Sequence, residues 1–314
     1  MKTIFLFPGQ GSQFVGMAES VCKAVPEAKA RFDEARDYLG FDILKLCVQG
    51  PEDDLKNTAN TQPAIYIHSF IMAELLITRG YKPDIMAGHS VGEYAAVASA
   101  GGFSFIQGLK LVRARGLAMA SAGRKVPGTM AAVIGASPEL VNEVCFKVSK
   151  ENIVVPANFN SSKQIVISGS IEGINRACEE LKTSGAKRAI ILQVSGAFHS
   201  PLMKEAVADF QQILEDTQIS DIKIPVISNV TAQPVNNGNE IKNLLLKQLT
   251  NPVKWVDSME KAASLGIKKA VETGPGKVLT GLMRDITREI KCFPAGDEKD
   301  IDGIVQECDQ NSAG

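Results

Sequence analysis

The spacing of apolar residues in the first 125 positions alternates between two kinds of segment. Residues 3–7 and 85–88 are short, uninterrupted apolar runs, which is the pattern of buried strands. Elsewhere apolar residues return every three or four positions, which predicts helices over residues 14–39, 62–79, 93–100 and 105–122. Strands that alternate with helices in this way favour an α/β fold with a parallel sheet.

The pattern changes at about residue 126. From there to residue 195 the chain predicts, in order, a strand, a helix, two strands, a helix and a strand, over residues 129–134, 137–148, 153–159, 164–168, 171–183 and 187–194. This β-α-β-β-α-β order is that of the ferredoxin-like fold. We therefore predict a ferredoxin-like small subdomain at residues 126–195, inserted into a large α/β subdomain made of residues 1–125 and 196–290.

The alternation of strands and helices seen in the first 125 residues resumes after the insert. It predicts a strand near residues 225–229, a helix near residues 240–249 and a strand near residues 268–272. The remaining residues, 291–314, are predicted to form a C-terminal tail. From residue 296 onwards this stretch is charged and rich in small residues, so we expect it to be loose.

Composition narrows the function classes. Among 314 residues, 34 lysines and arginines balance 35 acidic residues to a formal charge of −1, so no overall field favours nucleic acid or an anionic membrane. The six cysteines show no CxxC spacing, which argues against a zinc ribbon, and no window of about 18 apolar residues predicts a membrane span. The apolar start breaks at Pro8-Gly9, too early for a secretory signal. We expect a cytoplasmic monomer without a metal site.

Residues 88–92 read Gly-His-Ser-Val-Gly and match the G-x-S-x-G nucleophile elbow. A serine on a sharp turn between a strand and a helix has a strained backbone, and the flanking glycines keep side chains away from the neighbouring strands. The turn exposes the Ser90 hydroxyl, and the following helix directs its N–H groups towards it. Because a predicted strand precedes Ser90 and a small-residue helix follows it, Ser90 is the candidate nucleophile. A plain turn serine is the alternative.

A serine nucleophile needs a base, and the chain has three histidines. His68 lies among apolar residues of a predicted helix, which is typical of a packed, hydrogen-bonded core residue. His89 directly precedes Ser90, so its side chain should point away from the hydroxyl; a metal site shared with Glu93 is an alternative role. His199 lies in a loop after a predicted strand and is the candidate base, with a surface loop histidine as the alternative.

The loop after the first predicted strand, residues 8–13, reads Pro-Gly-Gln-Gly-Ser-Gln. This is the edge at which α/β sheets place their ligands. A dinucleotide fingerprint would need a glycine where Phe14 stands, and a P-loop would need Gly-Lys-Ser/Thr, which is absent. We interpret the loop as part of an oxyanion hole in which the backbone N–H of Gln10 joins that of Val91. A tight structural turn is the alternative.

Two arginines follow the elbow on one predicted helix. Arg113 and Arg115 lie two positions apart and so face different directions. The residues four positions from Arg115, Leu111 and Met119, are apolar, whereas Lys110 lies three positions before Arg113, so Arg115 is the better candidate for burial. A buried guanidinium needs an anionic partner. That partner could be a substrate carboxylate or an internal salt bridge, and the spacing leaves both open.

Five motifs together are similar to those of the malonyl-CoA:acyl carrier protein transacylases. They are residues 7–13 (Phe-Pro-Gly-Gln-Gly-Ser-Gln), 88–94 (Gly-His-Ser-Val-Gly-Glu-Tyr), 196–200 (Gly-Ala-Phe-His-Ser), 248–255 (Gln-Leu-Thr-Asn-Pro-Val-Lys-Trp) and 274–277 (Gly-Pro-Gly-Lys). The resemblance runs in the right order over about residues 1–290 and leaves only the tail outside it. It implies an α/β-hydrolase-like body with a ferredoxin-like insert, in agreement with the periodicity.

The resemblance also implies a reaction. A malonyl group passes from malonyl-CoA to the phosphopantetheine thiol of acyl carrier protein through a malonyl-serine, in a ping-pong course that supplies fatty acid synthesis without a cofactor. The implied roles are Ser90 as nucleophile, His199 as base, Gln248 as the residue that orients His199, Gln10 and Val91 as the oxyanion hole, Arg115 as the clamp on the malonyl carboxylate, and Gln62 as a residue lining the substrate site.

Two other functions are compatible with the motifs. A serine esterase or thioesterase on the same elbow would use water as acceptor, but such enzymes normally carry an acid between Ser and His, and none is evident here. A non-catalytic scaffold could bind a partner through the insert, although the intact Ser90 and His199 argue against it. Because acyl carrier proteins are typically acidic, a local basic patch is expected; Lys187 and Arg188 are one candidate, and an ordinary solvated pair of charges is the alternative.

Overall fold

The structure is a computed structural model that describes the backbone of residues 1–312 and the side chains of residues 1–305. The first 125 residues form β1 (Thr3–Phe7), α1 (Glu19–Ala24), α2 (Pro26–Leu39), α3 (Ile43–Gln49), α4 (Glu52–Lys56), α5 (Thr58–Thr78), β2 (Ile85–Gly88), α6 (Gly92–Ser99) and α7 (Phe105–Lys125). The single helix predicted over residues 14–39 is wrong. Val25 is extended and Pro26 begins a new helix, because proline is suited to the first helical position and cannot continue a preceding one.

The next segment forms β3 (Gly128–Ile134), α8 (Pro138–Val148), β4 (Val154–Ser161), β5 (Gln164–Ser170), α9 (Ile171–Thr183) and β6 (Arg188–Ile191). The four strands make an antiparallel sheet in the order β4-β5-β3-β6. Apolar residues of this sheet and its two helices share one core, which includes Val144, Ile167 and Leu181. The β-α-β-β-α-β order is therefore confirmed; the subdomain boundaries themselves stay a prediction.

The rest of the chain forms a short 3₁₀ turn (Pro201–Met203), α10 (Lys204–Asp216), β7 (Val226–Ile227), β8 (Pro234–Val235), α11 (Gly238–Lys247), α12 (Trp255–Ser264), β9 (Lys269–Thr273), α13 (Val278–Ile286), β10 (Lys291–Ala295) and α14 (Glu298–Ser312). The tail predicted from residue 291 begins with β10, which pairs with β9. The expectation that the chain is loose from residue 296 onwards is wrong for the described residues, because Ile301 and Ile304 of α14 are buried. Residues 313–314 of that predicted tail lie outside the described residues.

The main sheet has six strands in the order β10-β9-β1-β2-β7-β8. All neighbouring strands are parallel except β7 and β8. Phe7 at the end of β1 pairs with Gly88 at the end of β2, so the loops after these two strands lie side by side. The predicted α/β fold, with a mostly parallel sheet and a separate antiparallel sheet, is confirmed, and its topology brings the two motif-bearing loops together.

The two sheets are joined next to these loops. The segment after α11 runs along β4, where the backbone N–H of Phe159 donates to the carbonyl of Val253 (2.9 Å) and the N–H of Val253 donates to the carbonyl of Ala157 (2.8 Å). On the other side, Ser162 and Lys163 of the β4–β5 turn bond to Asp285 of α13. The antiparallel sheet thus forms one wall of a cleft at the ends of β1 and β2. None of the described helices is long and apolar enough to cross a membrane.

Candidate active site

The elbow between β2 and α6 holds Ser90 in a left-handed backbone conformation, with φ of 51°. Its flanking glycines are required by close packing. A Cβ on Gly88 would lie 2.0 Å from the carbonyl carbon of Gly92, and one on Gly92 would lie 2.1 Å from the carbonyl oxygen of Phe7. The helix therefore starts directly against the strand, and the Ser90 side chain is left at the rim of the cleft.

Ser90 and His199, which are 109 positions apart, meet across this cleft. The Ser90 Oγ lies 2.8 Å from Nε2 of His199. The other ring nitrogen, Nδ1, lies 2.8 Å from the backbone oxygen of Gln248 and 3.2 Å from that of Asn251. Because both are acceptors, Nδ1 carries the proton and Nε2 is free to accept one from the serine. His199 has a φ of 57°, so its position depends on a second strained residue.

The Gln248 backbone, not its side chain, contacts the histidine. Two main-chain carbonyls thus occupy the place that an Asp or Glu takes in many hydrolases. Asn251 was missed from the sequence, since side-chain motifs carry no information about a carbonyl that any residue can supply. The contact expected between Gln248 and His199 is thus made by a backbone carbonyl, and the orienting role of Gln248 stays a prediction.

The His199 ring is buried, and its pKa is lowered to about 3. Burial is the main cause, because it penalises the charged imidazolium, and the positive charge of Arg115 acts in the same direction. The imidazole is therefore neutral at any physiological pH, which is the form that can accept a proton.

Arg115 of α7 is buried, with 1% of its surface exposed. One terminal nitrogen, Nη1, donates to Oε1 of Gln62 (2.8 Å), and the other, Nη2, donates to Oε1 of Gln248 (3.0 Å) and to Oγ of Ser90 (3.1 Å). Among the described side chains no carboxylate forms an ion pair with it, so the internal salt bridge left open above is not present. Burial lowers the pKa of Arg115. Arg113 is less buried and donates to the backbone oxygen of Ala59.

Two polar residues beneath the elbow were not predicted as site residues. Asn229, after β7, accepts from the Ser90 N–H through Oδ1 (2.7 Å) and donates from Nδ2 to the carbonyl of Gly88 (2.6 Å). Glu93 of α6 is 2% exposed and accepts from Nε2 of Gln248 at 2.6 Å. Glu93 had one available signal, since it is the lone charged residue in an otherwise apolar helix that follows the elbow directly.

The two groups predicted as an oxyanion hole line the same cleft. Gln10 and Val91 both border the cavity at Ser90. The β1 loop approaches the elbow so closely that a Cβ on Gly9 would lie 2.6 Å from the backbone oxygen of His89. Neither backbone N–H donates to a partner among the residues described here. Both are therefore available to a substrate oxygen, and their role stays a prediction.

The cavity at Ser90 has a volume of about 260 Å³. Its far wall is formed by the antiparallel sheet, which contributes amides and apolar side chains: Asn158, Asn160, Gln164, Met130, Ala132, Val166 and Leu192. The Nε2 of His89 lies 2.8 Å from Oδ1 of Asn160, and no hydrogen bond joins the His89 side chain to Ser90 among the described residues. Within the described part of the chain no group of His, Cys, Asp and Glu could hold a metal ion. His68 is buried in α5, as expected of a core residue, and its Nδ1 has no hydrogen-bond partner among the described residues.

An elbow serine paired with a histidine at the edge of an α/β sheet is the arrangement of enzymes that transfer acyl groups through a serine. In agreement, residues 4–302 match the family model for the acyl transferase domain. The chain is 42% identical over 306 residues to the malonyl CoA-acyl carrier protein transacylase of Bacillus subtilis (strain 168), covering 97% of this chain and 96% of that one. The chain belongs to the malonyl CoA-acyl carrier protein transacylases, and the resemblance seen in the motifs is confirmed.

Solved structures agree over the whole length. The acyl-carrier-protein S-malonyltransferase of Burkholderia pseudomallei 1710b superposes with a TM-score of 0.93 and 39% identity, covering 98% of this chain and 100% of that one. A malonyl-transacylase solved in complex with its type II PKS acyl-carrier protein superposes with a TM-score of 0.94 and 37% identity, covering 98% of this chain and 100% of that one. Since the family match extends to residue 302, the expectation that the resemblance ends near residue 290 is wrong.

Proposed function

We propose that this protein transfers a malonyl group from malonyl-CoA to the phosphopantetheine thiol of acyl carrier protein, through a malonyl ester of Ser90, and so supplies fatty acid synthesis. The observation that carries the substrate choice is the Arg115 guanidinium. It is buried, no described carboxylate lies within ion-pair distance of it, and its Nη2 lies 3.1 Å from the candidate nucleophile. An acyl group that ends in a carboxylate would supply a direct anionic partner.

In the first half-reaction the Ser90 hydroxyl gives its proton to Nε2 of His199 as its oxygen attacks the thioester carbonyl of malonyl-CoA. The imidazolium that forms is stabilised by the Gln248 and Asn251 carbonyls at Nδ1. The N–H groups of Gln10 and Val91 donate to the tetrahedral oxyanion, and each such donor contributes about 3 kcal/mol at the transition state. The C–S bond then breaks, and coenzyme A leaves with the proton from His199.

The second half-reaction reverses the roles. The thiol of the carrier's phosphopantetheine gives its proton to Nε2 of His199 and attacks the malonyl ester. The C–O bond breaks, Ser90 regains the proton, and malonyl-carrier protein leaves. The amides and apolar side chains on the antiparallel-sheet wall suit the pantetheine arm, which alternates amide groups with short apolar stretches. These steps use the chain's own side-chain and backbone groups with two substrates, the malonyl-CoA thioester and the carrier thiol, so no cofactor enters the proposal.

Arg115 sets the preference for malonyl over neutral acyl groups. A malonyl carboxylate accepts hydrogen bonds from the guanidinium, whereas an acetyl group leaves the buried charge as it is in the free enzyme. A site built around a buried polar group rejects analogues that lack its partner far more strongly than an apolar pocket rejects a missing methylene. Gln62 holds Nη1 of Arg115 and so helps to aim the guanidinium.

The acceptor is acyl carrier protein, and its docking surface is a separate element of the proposal. Lys187 and Arg188, at the start of β6, are exposed and retain their place as a candidate basic patch. If they attract an acidic carrier, the KM for the carrier rises with ionic strength, while a KM that does not change with salt argues against them. A monomeric state and a cytoplasmic location stay predictions.

One experiment separates transfer from the esterase and scaffold alternatives. The protein is incubated with malonyl-CoA, and its peptides are examined by mass spectrometry for a malonyl adduct on Ser90. Holo-acyl carrier protein is then added. Loss of the adduct with formation of malonyl-carrier protein supports the proposal. Release of malonate at the same rate without the carrier supports an esterase, and absence of any adduct, matching a Ser90→Ala control, supports a scaffold.

A further inference from the structure

A buried carboxylate lies directly behind the guanidinium that faces the substrate. Glu93 Oε2 accepts from Nε2 of Gln248 at 2.6 Å, and Oε1 of the same amide accepts from Nη2 of Arg115 at 3.0 Å. Nε2 of Gln248 also lies 3.0 Å from the Ser90 carbonyl oxygen. The Gln248 amide is thus held with its nitrogen towards the acid and its oxygen towards the arginine. Glu93 therefore determines that Arg115 meets the oxygen of this amide and not its nitrogen.

The charges in this cluster are few. Among the described residues, the ionisable groups that face Glu93 are the Arg115 guanidinium on α7 and the Tyr94 phenol on its own helix. The groups that approach it from the segments after β7 and α11 are the neutral amides of Asn229 and Gln248. His199 is in the same site but is bonded to carbonyls and Ser90. With Glu93 ionised, the buried cluster therefore contains one positive and one negative charge.

Arrival of a malonyl group disturbs this balance. The proposed function puts a second carboxylate against Arg115, so that two anions would share one cation in a site that excludes water. A buried cluster with unbalanced charge is costly, and of two carboxyl groups near one another, one has its pKa raised. A proton on Glu93 restores neutrality. A neutral acyl group brings no second anion and causes no such change.

We infer that Glu93 is a positioning and specificity-determining residue whose carboxylate takes up a proton from solvent when Ser90 becomes malonylated and releases it when the malonyl group leaves. This inference rests on the proposed function. The carboxylate acts on substrate through Gln248 and Arg115 and does not touch the acyl group. It orients Gln248, and its change of protonation state keeps the charge around Arg115 balanced when a malonyl carboxylate is bound.

The pKa values of Glu93 and His199 agree with this role. Burial raises the pKa of Glu93 to about 7, although the Gln248 amide, the Asn229 N–H and the charge of Arg115 all lower it. The group is therefore divided between its two forms near neutral pH, where a small change in local charge moves a proton. His199, with a pKa lowered to about 3, does not titrate in this range in the free enzyme.

The test is the equilibrium constant for malonylation of Ser90, measured by intact mass spectrometry at fixed ratios of malonyl-CoA to coenzyme A between pH 6 and 8. Proton uptake makes this constant fall as pH rises. If the second carboxylate raises the pKa of Glu93 by one to two units, the fall over this range is about five- to tenfold. Glu93→Gln, which keeps the shape and the acceptor oxygen, should make the constant independent of pH. Glu240→Gln, at an exposed position of α11, should behave as the wild type.

A second measurement does not depend on a substitution at the buried Glu93. Wild-type protein mixed with malonyl-CoA at pH 7 in weak buffer should take up a fraction of a proton per acylated site, seen with a pH-indicator dye, and Ser90→Ala should take up none. A pH-independent constant in the wild type, or a pH dependence that persists in Glu93→Gln, overturns the inference while leaving the proposed function intact. Absence of a malonyl adduct at every pH overturns the proposed function, and the inference with it.

Discussion

Replacement of Arg115 by alanine should abolish the preference for malonyl without destroying acyl transfer. Arg115→Ala removes the guanidinium from a position 3.1 Å from Ser90 Oγ and leaves the elbow, His199 and the two carbonyls on Nδ1 in place. The oxygens of Gln62 and Gln248 lose a donor, and water can enter the vacated space to replace it.

The magnitude follows from burial. In the variant, the malonyl carboxylate would enter a site where no described group replaces the cation, and an unpaired buried charge costs about 3–5 kcal/mol. At about 1.4 kcal/mol per tenfold, kcat/KM for malonyl-CoA should fall by about 10²- to 10⁴-fold. A neutral acyl group never used the guanidinium charge, so kcat/KM for acetyl-CoA should stay within about threefold or rise.

The assay measures acyl transfer to holo-acyl carrier protein from malonyl-CoA and acetyl-CoA in parallel. Arg113→Ala is the matched control, because Arg113 lies two positions away on α7 and is turned from the cavity towards the Ala59 carbonyl. It should leave the ratio of the two activities unchanged. Equal losses for both thioesters in Arg115→Ala would refute the clamp and reduce Arg115 to a structural role.

Three further predictions concern the base, the elbow and the C-terminal segment. Because the pKa of His199 is lowered to about 3, kcat/KM for malonyl-CoA should not fall as the pH is lowered from 8 to 5. An imidazole of ordinary pKa would be about 97% protonated at pH 5. A fall in kcat/KM centred near pH 6.5 would therefore contradict the lowered pKa. Gly92→Ala should lower the free energy of unfolding by about 3 kcal/mol in urea titrations, because its Cβ would meet the backbone of Phe7. In the control Gly281→Ala, the new Cβ enters open space in α13 and should raise the free energy of unfolding by about 0.5–1 kcal/mol. Equal effects of the two substitutions would show that close packing at the elbow does not cause the loss of stability. Truncation after residue 290 should cost about 3–6 kcal/mol from the lost burial of Ile301 and Ile304, and an unchanged urea midpoint would contradict their place in the core.

Strands β1, β2 and β9 and the order of the insert could be predicted because hydrophobic periodicity reports burial directly, whereas β8 and β10 were missed. Helix α9 (Ile171–Thr183) was predicted to the residue, since its apolar stripe is continuous and Ser170 caps it. Helices α3 and α4 were missed because seven and five residues are too few for a clear period. The stretch from residue 296 onwards looked loose because it is charged and rich in small residues, yet it forms α14, in which Ile301 and Ile304, spaced three apart, are buried.

The functional site likewise contains residues that could be predicted from the sequence and groups that could not. Ser90 and His199 were found because the chemistry demands their side chains and the chain offers few histidines. The Gln248 and Asn251 carbonyls could not be found, because every residue has such a group and only the fold decides which of them meets His199. The absence of a direct ion pair between Arg115 and a described carboxylate also depends on packing, and helical spacing alone left a salt bridge equally open.

We expect a malonyl group on Ser90 to pass to a carrier thiol and not to water, and a single-turnover experiment measures this step. Wild-type protein is malonylated, freed of malonyl-CoA, and mixed with holo-acyl carrier protein or with buffer alone, and the fate of the malonyl group is followed by mass spectrometry. Malonyl-carrier protein should form much faster than free malonate appears in buffer. Malonate released at the same rate with and without the carrier would contradict transfer to the carrier.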